Sequence, residues 1–128
     1  MKSIYIIDDD KLFVFLTKKS IEEILADTEI IEFGDGQSAI DYLKEIADKA
    51  DQLPDIIFLD LSMPIMDGWE FLKEYIQLEP RLEKKIKLYV FSSSISPHDI
   101  ERAKNIGSVT DFIIKPLSKE RFIEMLNS

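Results

Sequence analysis

The strongest constraint on the fold is a regular alternation of short apolar runs with longer segments of helical periodicity. The apolar runs are rich in Ile, Leu, Val, Tyr and Phe, which is typical of strands buried on both faces. A strand, a helix and a second parallel strand form a right-handed crossover, so the alternation predicts a parallel sheet with helices on both sides. The predicted strands are residues 3–7, 29–33, 55–59, 88–91 and 112–114.

The segments between and after these strands predict five helices in a doubly wound α/β fold, which we interpret as one domain over residues 1–128. Gly34 to Gly36 and Met66 to Gly68 predict turns that lead into the second and third helices, and the charged stretch 79–87 predicts a solvated loop. The last two helices are predicted at residues 97–105 and 119–126. The apolar faces of the first three helices are predicted as Leu12, Phe13, Leu16 and Ile24, then Ala39, Ile40, Leu43 and Ala47, then Trp69, Leu72 and Ile76.

Composition excludes several classes of function. The chain has no cysteine and one histidine, so disulfides and thiolate metal sites are excluded and a bound metal needs oxygen ligands. A net charge of −9 repels phosphate backbones and predicts no direct binding of nucleic acid. No apolar run approaches the roughly 18 residues of a membrane span. We therefore predict a cytoplasmic protein without membrane insertion.

Polar residues follow the predicted strands at one edge of the predicted sheet. Asp8 to Asp10 follow the first strand, Asp60 the third, Ser92 to Ser94 the fourth, and Lys115 with Pro116 the fifth. The carboxyl ends of parallel strands lie at the same edge, where open α/β sheets bind their ligands. The sequence therefore predicts that carboxylates, hydroxyls and one ammonium group meet there.

This set of groups predicts the chemistry of phosphoryl transfer with magnesium. Carboxylates forced together repel one another, and a divalent cation relieves the repulsion. Magnesium prefers a few carboxylates together with water and phosphate oxygens. The ammonium group of Lys115 adds positive charge for a phosphoryl group, and an aspartate is then an adequate nucleophile.

The motifs resemble those of the response regulator receiver family. The resemblance rests on Asp8-Asp9, on the string from Leu59 to Gly68, on Ser92 and on Lys115-Pro116, and it extends over essentially all 128 residues. It implies a flavodoxin-like (βα)5 three-layer sandwich whose five parallel strands have the order 2-1-3-4-5. It also implies a chemotaxis-regulator-like, single-domain form without an output domain.

The resemblance also implies a role for each matching residue. Asp60 would be the phosphoacceptor, and it would bind Mg²⁺, or Mn²⁺ in its place, together with Asp9 and the backbone carbonyl of Ser62. Asp8 would be a metal ligand through water. The remaining roles are Lys115 as the cation paired with phosphate, Ser92 as the switch hydroxyl, Phe112 as the switch aromatic residue, and a cis peptide bond between Lys115 and Pro116.

Partners follow from the same resemblance. A sensor histidine kinase or a histidine phosphotransfer protein would donate the phosphoryl group, and a downstream protein target would bind the remodelled face of helix 4, strand 5 and helix 5. Exposed apolar residues near the site, such as Phe13 or Phe15 with Leu117, are candidate docking points. The family acts as a phosphoacceptor rather than as a conventional enzyme, and a phosphorylation-dependent homodimer is a further expectation.

Two departures and two alternatives stay open. Ser62 and Ser93 flank the phosphate position and leave its lifetime undetermined, and the segment 105–112 is one residue longer than the family pattern, which leaves the register of loop 105–111 open. Asp8 and Asp10 also match the Asp-x-Asp pattern of a haloacid-dehalogenase-type phosphatase. A receiver-like scaffold that works without phosphate is the other alternative. Asp10 alone could simply cap the first helix.

Overall fold

The computed structural model describes residues 2–63, 65–93, 96–115 and 117–127, and within these ranges five strands alternate with five α-helices. The strands are β1 (Lys2–Ile7), β2 (Thr28–Phe33), β3 (Ile56–Asp60), β4 (Lys87–Ser92) and β5 (Val109–Ile114). The helices are α1 (Lys11–Ile24), α2 (Gly36–Glu45), α3 (Gly68–Leu78), α4 (Pro97–Lys104) and α5 (Lys119–Leu126), and a 3₁₀ turn (Glu79–Arg81) follows α3.

All strand pairs are parallel, and the order across the sheet is β2-β1-β3-β4-β5. Ile7 at the end of β1 pairs with Phe33 of β2 and with Leu59 of β3, so these three strands end at nearly the same level. The predicted doubly wound α/β fold and the strand order that the resemblance implies are both confirmed.

The core lies in two layers, one on each face of the sheet. On one face the helices α2, α3 and α4 pack against strand residues such as Tyr5, Ile57 and Val90. On the other face α1 and α5 pack against a second set that includes Ile6, Phe58 and Phe91. Both faces of the central strands are therefore buried, as their nearly continuous apolar sequences predict.

Each α-helix begins with a side chain that accepts a hydrogen bond from one or two of its free backbone N–H groups. The caps are Asp10, Asp35, Asp67, Ser96 and Ser118. A cap before the first turn removes unsatisfied donors and fixes where the helix starts. Asp35 and Asp67 belong to the two predicted turns, and both turns do lead into helices.

The predicted apolar face of α1 is wrong in two of its four residues. Leu12 is 67% exposed and Leu16 is 53% exposed, whereas Val14, Thr17 and Ile21 are buried. Leu12 and Leu16 have helical spacing, and so do Val14, Thr17 and Ile21. The apolar pattern does not single out Thr17 because its side chain carries a hydroxyl. Only packing against the sheet decides between the two sets. In α3, Ile76 of the predicted face is likewise exposed.

β5 contains a bulge close to its start. Leu88 pairs with Val109 but Tyr89 pairs with Asp111, so Thr110 bulges from the ladder. The Thr110 hydroxyl accepts a hydrogen bond from the backbone N–H of Leu88 at 3.2 Å. The pairing register between β4 and β5 shifts by one residue at this bulge. β5 begins at Val109, three residues earlier than predicted.

Two smaller corrections concern strand ends. The predicted loop 79–87 begins with the 3₁₀ turn and ends with a buried Ile86 and with Lys87 in β4. Asp60 belongs to β3 itself, and Asp55 precedes the strand. In the described ranges, the helices are all too short or too polar to cross a membrane.

Candidate functional site

The predicted site residues meet at the carboxyl edge of the sheet. Asp8 follows β1, Asp60 ends β3, Ser92 ends β4 and Lys115 follows β5. The side chains of Asp8, Asp60 and Ser92 are buried, and Asp60 is only 7% exposed. These residues are far apart in the sequence and meet because the parallel strands that carry them all end at one edge of the sheet.

Three carboxylates form a cluster that fits a metal ion. Carboxylate oxygens of Asp8, Asp9 and Asp60 all lie within 4.8 Å of one another. Ligand oxygens on one octahedral Mg²⁺ at about 2.1 Å are roughly 3 to 4 Å apart, so modest side-chain rotations suffice. Asp9 is exposed, which gives the cluster an opening to solvent. The donor set contains oxygen only, as hard divalent cations prefer.

Lys115 is the cation at this cluster. Its Nζ lies 2.8 Å from Oδ2 of Asp8 and 3.5 Å from Oδ1 of Asp60. Its backbone N–H donates to the carbonyl oxygen of Ser92 at 2.8 Å, which joins the end of β5 to the end of β4. The ammonium group also lies 4.0 Å from the ring centroid of Phe13 in α1. One lysine thus faces two buried aspartates and one aromatic ring.

The pKa of Asp60 is raised to about 6 from an ordinary value of 3.8. Burial is the largest cause, and the negative charge of Asp8 adds to it. Lys115 and a hydrogen bond from the backbone N–H of Ser62 act in the opposite direction without cancelling the rise. The site therefore holds more negative charge than its own cation balances, and an added cation would lower this pKa.

The connection from β3 to α3 brings a helix close behind Asp60. A Cβ atom on Gly68 would lie 2.6 Å from the carbonyl oxygen of Asp60 and 2.6 Å from Cα of Leu61, so only glycine fits. Asp67 and Glu70 form a reciprocal capping box at the start of α3. Ile65 has a φ of 66°, an uncommon conformation for a β-branched residue. The loop next to the site is thus tightly packed at one end and strained in its middle.

The remaining predicted residues lie around this centre. Ser62 is exposed two positions after Asp60, and Phe112 in β5 is buried against the core on the side of α2, α3 and α4. Phe112 therefore points into the core and not toward solvent. Pro116, and with it the predicted cis bond, lies outside the described residues, as do Pro64 and Ser94 of the predicted motifs.

Two residues at the site are not assigned to it by the sequence patterns. The sequence predicts Phe13 as an apolar face or docking residue, although Phe13 contacts Lys115. It predicts Gly68 as part of a turn and as the end of the receiver string, but not as the residue that lets α3 pack against the backbone of Asp60. The cap at Asp10 fixes where α1 begins and so which of its residues face the site, and this signal could have placed Phe13 there.

The carboxylate of Asp10 accepts from the backbone N–H groups of Leu12 and Phe13, so Asp10 does cap α1. His98 is exposed in the first turn of α4.

Comparison with known proteins identifies the family. The model of the response regulator receiver domain matches residues 4–127. The chain is 30% identical to the chemotaxis protein CheY of Thermotoga maritima over 98% of this chain and 95% of that protein. It is 30% identical to a two-component response regulator from Cytophaga hutchinsonii, whose crystal structure superposes with a TM-score of 0.87 and covers 99% of this chain and 95% of that one. A crystal structure of the Mn²⁺-bound form of the response regulator Rcp1 has a TM-score of 0.78 at 26% identity, with 98% and 89% of the chains covered.

The chain belongs to the response regulator receiver family, as its motifs predict. Receiver domains are phosphoacceptors of two-component signalling systems and bind a divalent cation at an acidic pocket. The family model accounts for the string from Leu59 to Gly68, which the phosphatase alternative leaves unexplained.

Proposed function

We propose that this receiver domain accepts a phosphoryl group from a phosphohistidine donor onto Asp60 in a magnesium-dependent reaction. The observation that carries the proposal is the contact of Lys115 with both Asp8 and Asp60 at the edge of an acidic cluster. The donor would be a sensor histidine kinase or a histidine phosphotransfer protein. A cytoplasmic location and protein-mediated output remain parts of this proposal.

Each residue then has a defined task in the transfer. An oxygen of Asp60 attacks the phosphorus atom, the bond from phosphorus to the donor nitrogen breaks, and the donor imidazole leaves with the electron pair and takes up a proton. Lys115 pairs with an oxygen of the transferred group, which carries negative charge throughout. Ser92, next to Asp60 on the neighbouring strand, can donate its hydroxyl proton to a second oxygen.

Asp9, Asp60 and the backbone carbonyl of Ser62 would hold Mg²⁺ directly and Asp8 would hold it through water, and Mn²⁺ would serve in its place. A bound divalent cation supplies charge neutralisation for the phosphoryl oxygens. The Mn²⁺-bound form of Rcp1 supports a metal in a related receiver. The raised pKa of Asp60 supports it independently, because burial and Asp8 disfavour an unneutralised carboxylate there.

A docking surface for the donor lies on the first turns of α1. Leu12, Phe15 and Leu16 are more than half exposed and have the spacing of one helical face. An exposed apolar stripe on a helix that begins beside the site suits a helical partner, such as a phosphotransfer helix. Of the docking points predicted from the sequence, Phe15 fits this surface, whereas Phe13 and Leu117 are half-buried and pack against the core.

For output, phosphorylation would alter the face formed by α4, β5 and α5 through Ser92 and Phe112. Phe112 is already buried, so we expect phosphorylation to shift the populations of its inward and outward orientations and not to create the inward one. Amide chemical shifts with and without phosphorylation test this: changes that avoid α4, β5 and α5 would contradict it. Light scattering of the same sample tests for the expected homodimer.

The proposal is tested by measuring intact mass after incubation with acetyl phosphate, with and without Mg²⁺. The wild-type protein should gain one phosphoryl group only with Mg²⁺, through a base-labile bond, and Asp60→Asn should gain none. The same assay with a phosphorylated histidine phosphotransfer protein as donor tests the docking surface. Leu16→Asn should slow that transfer and leave the reaction with acetyl phosphate unchanged.

The alternatives give different results in this assay. A phosphatase that uses Asp8 would keep its activity in Asp60→Asn and lose it in Asp8→Asn. A scaffold that works without phosphate would gain no mass in any variant. Equal gain by wild type and Asp60→Asn would end the assignment of Asp60 as acceptor.

A further inference from the structure

The ring of Phe13 lies against the ammonium group that faces the acceptor aspartate. Nζ of Lys115 is 4.0 Å from the centroid of this ring, well within the range of a cation–π contact. The side chain of Lys115 is only 15% exposed, so water screens this contact less than it would a contact at an open surface. Nζ of Lys115 therefore has three described neighbours, namely two carboxylates and one ring.

Phe13 is itself held by the core. Its ring meets the ring of Phe91 edge to face, with centroids 6.0 Å apart and an interplanar angle of 62°. Phe91 in turn lies 4.7 Å from Phe58 and 6.2 Å from Phe122, all within the core on the side of α1 and α5. A half-buried ring that is packed edge-on against this group has little freedom to turn away from Lys115.

A contact that keeps Lys115 in place would favour the reaction, because a lysine side chain is long and loses much rotamer entropy when it is fixed. The two carboxylates that hold Lys115 are the groups that change during the reaction, since Asp60 becomes the acceptor and Asp8 belongs to the cation site. The ring of Phe13 takes no part in bond making and keeps its charge distribution throughout. It is the one described contact of Nζ that the reaction leaves intact.

We propose that Phe13 is a positioning residue that holds the Lys115 ammonium group beside Asp60 through its aromatic face. The inference rests on the proposed phosphorylation of Asp60 and adds a residue that the receiver motifs do not include. It also explains why an aromatic residue in α1 faces the strand ends instead of the exposed apolar surface that Leu12, Phe15 and Leu16 form.

The test compares the second-order rate constant of phosphorylation by acetyl phosphate at saturating Mg²⁺. Phe13→Leu keeps apolar volume but removes the ring face, and it should lower the rate constant about three- to thirty-fold, the range expected for a cation–π contact. Phe13→Tyr keeps the ring and should stay within about two-fold of wild type. Phe33→Leu is the matched control, because Phe33 is a half-buried ring that packs on Tyr5 and Tyr42. Its rate constant should be unchanged.

Two further measurements separate positioning from a general loss of packing. In a Lys115→Met background, Phe13→Leu should have no further effect on the residual rate, because the group that the ring holds is gone. The side-chain NMR signals of Lys115 should carry an upfield ring-current shift in the wild-type protein without Mg²⁺, and this shift should disappear in Phe13→Leu. Thermal melts establish that each variant is folded at the assay temperature.

The outcomes distinguish this inference from the function on which it rests. If wild type gains no phosphoryl group, the proposed function fails and the inference fails with it. If wild type is phosphorylated and Phe13→Leu reacts equally fast, or if its effect persists in the Lys115→Met background, Phe13 has no positioning role and the proposed function stands. An unshifted Lys115 signal in wild type would likewise overturn the contact alone.

Discussion

Asp60 and Asp55 lie at opposite ends of β3, and their surroundings shift their pKa values in opposite directions. Burial and the charge of Asp8 raise the pKa of Asp60 to about 6. Burial alone would also raise the pKa of Asp55, but Lys84 at 2.7 Å and the backbone N–H of Ser3 outweigh it and lower that pKa. The two shifts differ in sign because a lysine and a backbone N–H outweigh burial at Asp55, whereas Lys115 does not outweigh burial and the charge of Asp8 at Asp60.

The raised pKa predicts that ionised Asp60 destabilises the native state. Below about pH 3.8 the carboxyl group is neutral in both the folded and the unfolded state and costs no stability. As pH rises from 3.8 to about 6, the unfolded chain loses this proton more readily than the folded one, so the free energy of unfolding falls. Without divalent cations, Asp60→Asn should therefore raise the free energy of unfolding by about 3 kcal/mol at pH 7.5. The gain should be about 1 kcal/mol smaller at pH 5, as measured by urea denaturation.

Asp55→Asn serves as the control of opposite sign. A lowered pKa stabilises the native state above the ordinary value of 3.8, and that stability is lost only as pH falls through the folded pKa. This variant should be less stable than wild type at pH 7.5. If Asp60→Asn is also destabilised there, repulsion and burial do not dominate at Asp60.

At the scale of elements, the connection from β3 to α3 determines where Asp60, the proposed acceptor, lies. The backbone N–H of Gly68 donates to the carbonyl oxygen of Leu61 at 3.0 Å, so the start of α3 packs directly on the end of β3. The capping box of Asp67 and Glu70 fixes the first turn of that helix. These contacts fix the backbone at Asp60, and the loop residue Ile65 adopts a positive φ between them.

Gly68→Ala should be strongly destabilising because its methyl group would meet backbone atoms, which cannot move aside as a flexible side chain can. We expect a loss of about 2 to 3 kcal/mol in the free energy of unfolding. The rate of phosphorylation by acetyl phosphate should also fall, because relief of the clash displaces Asp60. Both quantities can be measured on the same preparation.

Gly34→Ala is the matched control. A Cβ atom on Gly34 would have no atom within 4 Å and its φ is not positive, so we expect a change within about 1 kcal/mol and an unchanged reaction rate. Equal stability of the two variants would show that α3 can move away from β3 at little cost.

At the scale of the whole molecule, the site exists only in the assembled sheet. The groups around Asp60 come from the ends of four strands, and the contact of Asp8 with Lys115 joins positions 107 residues apart. A ligand that needs these ends together binds the folded chain and not the unfolded one. Binding of a divalent cation is therefore coupled to global stability.

Mg²⁺ should raise the unfolding midpoint of the wild-type protein. At a concentration ten times the dissociation constant, the gain is about 1.4 kcal/mol, or about 5 °C for a domain of this size. Asp9→Ala should lose most of this increment, because Asp9 is an exposed member of the carboxylate cluster. Asp48→Ala removes an exposed acid that follows α2 and should keep the increment. Calorimetry with and without Mg²⁺ gives both values, and an equal loss in both variants would argue against a specific site.

Much of this protein is determined by its sequence alone because the information is local. The runs of Ile, Leu and Phe set the strands, Asp and Ser caps set the helix starts, and polar residues after each run mark the edge where the site lies. Parallel strands allow few topologies, so local patterns suffice for the doubly wound fold. Asp8, Asp60 and Lys115 can be assigned to one site for the same reason.

Tertiary structure alone decided which of several equivalent patterns is used. The helix α1 has apolar residues on more than one face, and packing against the sheet buried Val14 and Ile21 while it exposed Leu12 and Leu16. Pairing with β4 placed a bulge at Thr110, near the start of β5. The contact of Phe13 with Lys115 joins two elements at opposite ends of the chain. The periodicity of one segment carries no information about which other segment it packs against, so these contacts are determined only when the chain folds.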